Sequence, residues 1–359
     1  MRNSLKRISI NSEHLQNKIN RQSILESEFK KYREFIDKHL IDFLDEETKR
    51  SRYCKNNQKY PYTLFDPLNY IMSGGGKRVR PILVLLSCEA FGGNMDNAID
   101  AAIAVEILHN FTLVHDDIMD NASTRRGKQT IHKKWDVNSA ILVGDELIGL
   151  SYRSLLRSKT INITGVLQAF TDGVIEVCEG QALDKEFELS ADVLIDDYKI
   201  MIRKKTAELL RTSSIMGAII GNADKPGINS ISAYSENIGL AFQIQDDLLD
   251  VIADESEFGK KIGGDILERK KTFLYIKALE ILNGKSRDDF MYLYNKNDNS
   301  NERIKNIIAL YNEICVIGSA KDEIAVYTER ANKNLECIKS ENARYKLVMF
   351  SDMLLNRSY

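Results

Sequence analysis

Two pentapeptides, Asp116-Asp117-Ile118-Met119-Asp120 and Asp246-Asp247-Leu248-Leu249-Asp250, set six carboxylates inside apolar stretches that read as helices. Leu108, Phe111, Leu113 and Val114 precede the first, and Ile238, Leu240, Phe242 and Ile244 precede the second. On a helix the first and last Asp of each motif stand one turn apart on the same face, about 6 Å along the axis. Carboxylates embedded in apolar helices are costly unless paired or metal-bound. A solvated acidic face is the plain alternative, and the apolar flanks oppose it. A fold for this chain must therefore bring the acids to a polar cavity. Facing pairs across it would suit Mg²⁺, a hard cation that prefers carboxylate, water and phosphate oxygens. The natural partner of such a metal cluster is a polyphosphate.

The rest of the chain says how that cavity is walled. Only four prolines and 20 glycines occur in 359 residues, with abundant Leu, Ile, Lys and Glu, which favours helix. Apolar residues recur at helical spacing over 24–45, from Leu25 through Phe29, Tyr32, Phe35, Ile36 and Leu40 to Phe43 and Leu44. A short helix at Pro67–Met72 ends in Ser73-Gly74-Gly75-Gly76. Pro81 opens the next, closed by Gly92-Gly93. Long helices are expected at about 97–119, 135–158, 164–188, 193–219 and 228–252, with polar loops at 121–132 and 253–270. Shorter helices fill 271–355, and no β-alternation is long enough for a sheet. The expectation is an all-α, single-domain helical bundle around a central cavity, over residues 23–359, behind a polar tail of 1–22.

Composition narrows the partners. A net charge of −2 gives no bulk pull toward nucleic acid. Cysteines 54, 88, 178, 315 and 337 lack metal or redox spacing, which suggests reduced thiols and a cytoplasmic location. No uninterrupted apolar run reaches the ~18 residues of a membrane span, and the basic N-terminus lacks the apolar core of a signal peptide.

Basic clusters fall where an anion reader needs them. Gly75-Gly76-Lys77-Arg78-Val79-Arg80-Pro81 combines glycines that let a backbone approach an anion with charged donors at a helix start. Arg125-Arg126-Gly127 follows the first Asp motif, and Lys204-Lys205-Thr206 lies on a helix. Lys260 and Lys270 follow the second motif. Each alone also reads as an ordinary basic surface. His109 lies two turns before Asp116 on nearly the same face, facing the cavity or satisfied in the core. His115 points elsewhere and reads as structural. Gln243 stands one turn before Asp246, and Gln181 and Asp184 one turn apart on another helix, as ligand supports or helix bridges.

In order, GGKRVRP, HDDIMD with RRG, GQALD, KKT, FQIQDD and GKKIGGDI resemble the all-trans (E-type) polyprenyl diphosphate synthases, over residues 66–275. One departure is Glu268-Arg269 before Lys270, where many relatives have glycine. The resemblance implies condensation of isopentenyl diphosphate with an allylic diphosphate: dimethylallyl, geranyl or farnesyl diphosphate. It implies up to three Mg²⁺ ions, with Mn²⁺ able to substitute, held by Asp116, Asp120 and Asp246. Asp117, Asp247, Asp250, Gln181 and Asp184 would orient ligands or waters around them. Gly76, Lys77, Arg80, His109 and Arg126 would bind isopentenyl diphosphate. Arg125, Lys205, Thr206, Gln243, Lys260 and Lys270 would bind the allylic diphosphate. A homodimer is expected by resemblance alone.

Product length would be set along the helix of the first motif, toward its N-terminus. Phe111 and Thr112, five and four residues before Asp116, are the first candidate floor; Ile107 and Leu108 are the next. One aromatic beside one small residue resembles archaeal-type geranylgeranyl diphosphate synthases, with farnesyl or longer products as alternatives. A class I terpene cyclase would not need the GGKRVRP and RRG clusters. A non-catalytic subunit of a heteromeric synthase would commonly lose motif residues that this chain keeps. A coiled-coil scaffold leaves the glycine loops unexplained.

Overall fold

The computed structural model describes residues 27–50, 61–190, 192–252 and 262–355. The tail 1–22 and Lys260 lie outside the described residues. Packing gathers the chain into two compact units, Met1–Leu85 with Asn94–Thr160, and Leu86–Gly93 with Ile161–Tyr359.

In the first unit, α1 (27–50) buries a stripe of Phe29, Ile36, Leu40 and Phe43 at helical spacing. α2 (Tyr62–Met72) passes through Pro67, so it begins earlier than the sequence suggests. The buried proline forgoes one backbone bond, and the helix continues. α3 (Val79–Ala90) belongs to this unit as far as Leu85, with Pro81 in its first turn. Asn94 opens α4 (Met95–Met119) by accepting from the Asp96 N–H. Ala98, Ala101, Ala102 and Ala104 are fully buried, and their small side chains permit close neighbours. After α5 (Ile131–Lys134), Asp136 opens α6 (Val137–Leu155) by accepting from the Ser139 N–H, and α6 packs along α4. Among the described helices, α4 alone is long and apolar enough to cross a membrane, but 72% of that stretch is buried within the protein.

The loop expected at 121–132 contains a small β-hairpin, β1 (Thr124–Arg125) with β2 (Lys128–Gln129), Thr124 opposite Gln129. Arg126 and Gly127 both have positive φ, 52° and 73°, as a tight two-residue hairpin turn requires. Strands of two residues are too short to alternate visibly.

The second unit holds α7 (Ile163–Leu189), α8 (Ile195–Ile202), a π-helical turn (Arg203–Ala207), α9 (Glu208–Ile220) and α10 (Lys225–Ile252). The single helix expected at 193–219 is thus broken by the π turn. Two glycines press on that turn. A Cβ at Gly180 of α7 would lie 2.3 Å from the Lys205 nitrogen, and one at Gly239 of α10 would lie 2.4 Å from the Ala207 Cα. Beyond α10 come α11 (Gly264–Glu268), α12 (Phe273–Ile281), α13 (Gly284–Asn295), α14 (Asn301–Glu313), α15 (Val316–Asn334) and α16 (Glu341–Leu355). α10 packs along α15, over a core that includes Ile244, Leu248, Phe273, Tyr275 and Tyr294. The all-helical expectation is met, the hairpin being the only sheet among the described residues.

Candidate active site

Each unit carries one Asp motif with its own basic partners. In the first, Asp117 is buried at the end of α4 and its Oδ1 accepts from Arg125 Nε at 2.6 Å. Arg125 also reaches Asp116, Nη2 to Oδ2 3.5 Å. The hairpin makes this possible by returning Arg125 over the helix end; the Ala122 N–H donates to the Asp117 carbonyl, and the Thr130 hydroxyl donates to the Ala122 carbonyl. Burial holds the Asp117 carboxyl above the usual range, although Arg125 opposes the shift. Asp116 and Asp120 are part exposed, with Asp120 as the helix C-cap.

The glycine loop meets the hairpin turn. Arg126 Nη1 donates to the Gly75 carbonyl at 2.6 Å, and a Cβ on Gly76 would stand 3.3 Å from that same nitrogen. Gly76 therefore leaves room for the guanidinium. Arg78, which the sequence offers only as one more donor of the basic cluster, is the anchor of this loop. It is buried at a φ of 51° and donates to Asp37 Oδ1 (2.7 Å) and Glu106 Oε1 (2.6 Å). That leaves Lys77 exposed and sets Arg80 against His109, Nη1 to Nε2 3.2 Å. A guanidinium only donates, so His109 Nε2 accepts and the ring is neutral, with its proton on Nδ1.

Burial first, then the charges of Arg80, Arg126, Arg125 and Arg78, hold the His109 pKa well below 6.5. The unfolded chain therefore binds a proton below pH 6.5 that the folded chain refuses, and stability falls as pH falls through that window. His109→Gln removes this contribution. Its stability should fall less steeply than the parent's, by up to about 1.4 kcal/mol over the first pH unit below the histidine range. Denaturant melts of both proteins across that unit check this; parallel curves would contradict it.

In the second unit a cavity of about 120 Å³ is lined by Asp184, Lys205, Thr206, Asp246, Asp265 and Lys270, among others. Lys205 Nζ donates to Asp184 Oδ2 at 2.5 Å, and Lys270 pairs with Glu268 (2.9 Å) and Asp265 (3.7 Å). Thr206 donates to Gln243 Oε1 (2.7 Å), whose amide donates to Asp247 Oδ1 (3.0 Å). Asp247 Oδ2 accepts from the Tyr198 hydroxyl (2.6 Å) and the Phe273 N–H (3.0 Å). Asp247 is thus an internal hub. Burial pushes its carboxyl up to about 6 against these three donors, and the buried Tyr198 hydroxyl is held well above 10, so it stays a donor. Asp250 caps α11, its two oxygens accepting from the Gly264 and Asp265 N–H groups, each at 3.1 Å. Gln181 is part exposed, and its amide nitrogen has no hydrogen-bond partner among the described residues.

Of the candidate length determinants, Ile107 and Leu108 are fully buried on α4. Phe111 is buried with its ring edge-on to His115, centroids 4.7 Å apart, and Thr112 Oγ1 donates to the His109 carbonyl at 2.8 Å.

Sequence reasoning missed Asp265, Tyr198, Gly180 and Gly239. Asp265 stands in the quoted GKKIGGDI and Gly180 in GQALD, so both were within reach. Tyr198 and Gly239 belong to no motif, and their roles arise only from tertiary contact.

Among the described residues no three His, Cys, Asp or Glu side chains gather closely enough to hold a metal ion by themselves. The donor chemistry nevertheless fits Mg²⁺, which usually takes one or two carboxylates plus waters and substrate phosphates. Asp116, Asp120 and Asp246 are part exposed, hard-oxygen donors of that kind.

Comparison with known proteins gives matches over most of the chain. The polyprenyl synthetase family model matches residues 61–311. A short chain isoprenyl diphosphate synthase of Methanothermobacter thermautotrophicus is 34% identical over 92% of this chain and 98% of its own. A geranylgeranyl pyrophosphate synthase of Geoglobus acetivorans is 37% identical over 84% of this chain and 93% of its own. The crystal structure of geranylgeranyl pyrophosphate synthetase from Pyrococcus horikoshii superposes with a TM-score of 0.85 at 35% identity, covering 93% of this chain and 99% of that one.

Proposed function

The chain belongs to the polyprenyl synthetase family, and from that premise we propose that it joins isopentenyl diphosphate to an allylic diphosphate to make geranylgeranyl diphosphate. The observation that carries the reading is the division of labour within each Asp motif. Asp117 and Asp247 are turned inward to donors, while Asp116, Asp120 and Asp246 are part exposed. These three would hold Mg²⁺, which supplies Lewis-acid neutralisation of a leaving diphosphate.

The chain's own residues do the rest. Asp117, through Arg125, and Asp247, through Gln243 and Tyr198, fix the backbone and side chains on which the exposed acids stand; Asp250 does so through the cap of α11. Gln181 and Asp184, on α7, would orient ligands or waters around the metal. Lys205, Thr206, Gln243, Lys270 and Arg125, with Lys260, would bind the allylic diphosphate. Lys205 and Lys270 pair with Asp184, Asp265 and Glu268, and phosphate oxygens are equivalent acceptors for the same ammonium groups. Gly76, Lys77, Arg80, His109 and Arg126 would hold isopentenyl diphosphate. A neutral His109 keeps that cluster from gaining a further positive charge. Together these groups hold the alkene beside the developing allylic cation. The synthase region we take as residues 23–359 behind the tail 1–22, working as a cytoplasmic homodimer.

Product length tests the finer part of the reading. If Phe111 is the floor, Phe111→Ala admits at least one more five-carbon unit while catalysis persists, and Thr112→Phe shortens the product toward farnesyl diphosphate. If Phe111 is only a core residue, truncation costs ~3–5 kcal/mol of stability and leaves length alone. Chromatography of the dephosphorylated products separates the outcomes. Unchanged length in a folded, active Phe111→Ala protein would move the floor to Ile107 or Leu108.

A further inference from the structure

From the sequence His115 reads as structural, and its surroundings assign it more. It sits one turn beyond Phe111 on α4, and the two rings meet edge to face, interplanar angle 63°. Its other side rests on α6. A Cβ at Gly144 would stand 2.0 Å from His115 Nε2 and 2.5 Å from Cδ2, so only glycine leaves room for the ring there. Nε2 is buried without a hydrogen-bond partner among the described residues. A buried ring nitrogen left unpaired is unfavourable, so polar pairing does not explain this seat. Packing does: the imidazole fills the space between the Gly144 backbone and the Phe111 ring.

We infer that His115, seated against Gly144, fixes the position of Phe111 and is thereby a second determinant of product length. The inference rests on the reading of Phe111 as the product floor. Phe111 lies on a helix, and its ring can turn only within the space its neighbours leave. With His115 in place the ring is held from one side. With His115 removed, that side opens and the aromatic wall can withdraw. His115 is a positioning residue here; it touches no reacting group.

The test sizes the products of five full-length variants and measures their thermal stability. His115→Ala should raise the ratio of longer to normal product at least about tenfold, on the scale at which an apolar pocket resolves a single methylene. In the Phe111→Ala background it should add nothing, because the ring it positions is gone. Gly144→Ala should lower the melting temperature, and adding His115→Ala should restore it, since the new methyl takes the space the ring has left. That double variant also covers the case in which His115→Ala alone folds poorly, and it too should make longer product. Normal product from an active His115→Ala or double variant, with Phe111→Ala lengthening, would overturn the inference alone. Failure of His115→Ala to rescue Gly144→Ala would overturn it as well. Unchanged length in Phe111→Ala would instead remove the floor on which it rests.

Discussion

Asp116→Ala is expected to lower turnover by about 10³-fold or more, the scale of losing one preorganised electrostatic stabiliser. The side chain is part exposed at the end of α4, and its neighbour Asp117 is already taken by Arg125 at 2.6 Å. Asp117 cannot swing out to replace it without leaving Arg125 and a buried site. On the proposed reading, removing Asp116 would take a ligand from the metal while the fold stays anchored through Asp117. Thermal stability should therefore stay close to that of the unaltered protein while single-turnover rates collapse. A loss below about tenfold would deny Asp116 its assigned place.

Gly180→Ala should damage both fold and catalysis. Its Cβ would stand 2.3 Å from the Lys205 nitrogen and 2.6 Å from the Lys204 carbonyl carbon. These are backbone atoms, so no rotamer relieves the clash, and α7 must back away from the π turn. Overpacking of this kind costs about 1–3 kcal/mol. The displaced turn carries Lys205 and Thr206, each bonded to a partner on another helix, Asp184 and Gln243. A shift of about 1 Å in positioning groups is enough for a ~10²-fold loss of rate. The loss should fall on KM for the allylic substrate as well as on kcat. Melting curves and steady-state kinetics check the two halves separately. A Gly180→Ala protein with normal stability and rate would show that the turn tolerates a wider separation.

The same turn shows where sequence reading stops. The regular helices were legible because their signal is local. Apolar spacing in α1 and the glycine stop after Met72 each announce themselves within a few neighbours. The π turn depends on Gly180 and Gly239, 24 residues before and 34 residues after Lys204 and Lys205, respectively. Nothing within residues 203–207 reports that two helices will crowd them. The hairpin at 124–129 is too short for alternation to register, although Arg126-Gly127 is turn-forming in hindsight. Arg269 is an intermediate case. Its place before Lys270 was visible as a departure from the pattern the chain resembles, and the structure gives it a left-handed φ of 57°. That conformation costs a non-glycine residue about 1–2 kcal/mol; the Arg269 side chain bonds to Asn297 Oδ1 at 2.8 Å in partial return.

The candidate site was legible as a set of residues and not as a set of contacts. The six acids of the two Asp motifs were read from the sequence, but which of them turn inward is a tertiary matter. Asp247 meets Tyr198, 49 residues away, and the Phe273 N–H, 26 residues away. The loop anchor Arg78 stands between Lys77 and Arg80 in one basic run, and only the carboxylates of Asp37 and Glu106 distinguish it. Charge type alone cannot separate a guanidinium that holds the loop from one that faces a ligand.

The central claim is that this chain elongates an allylic diphosphate. Its most direct measurement is incubation of the purified protein with Mg²⁺, radiolabelled isopentenyl diphosphate and each of dimethylallyl, geranyl and farnesyl diphosphate, followed by sizing of the dephosphorylated products. Label should enter geranylgeranyl diphosphate from all three primers, and excess EDTA should abolish incorporation. No incorporation from any primer by a folded protein, or undiminished turnover in EDTA, would contradict the account.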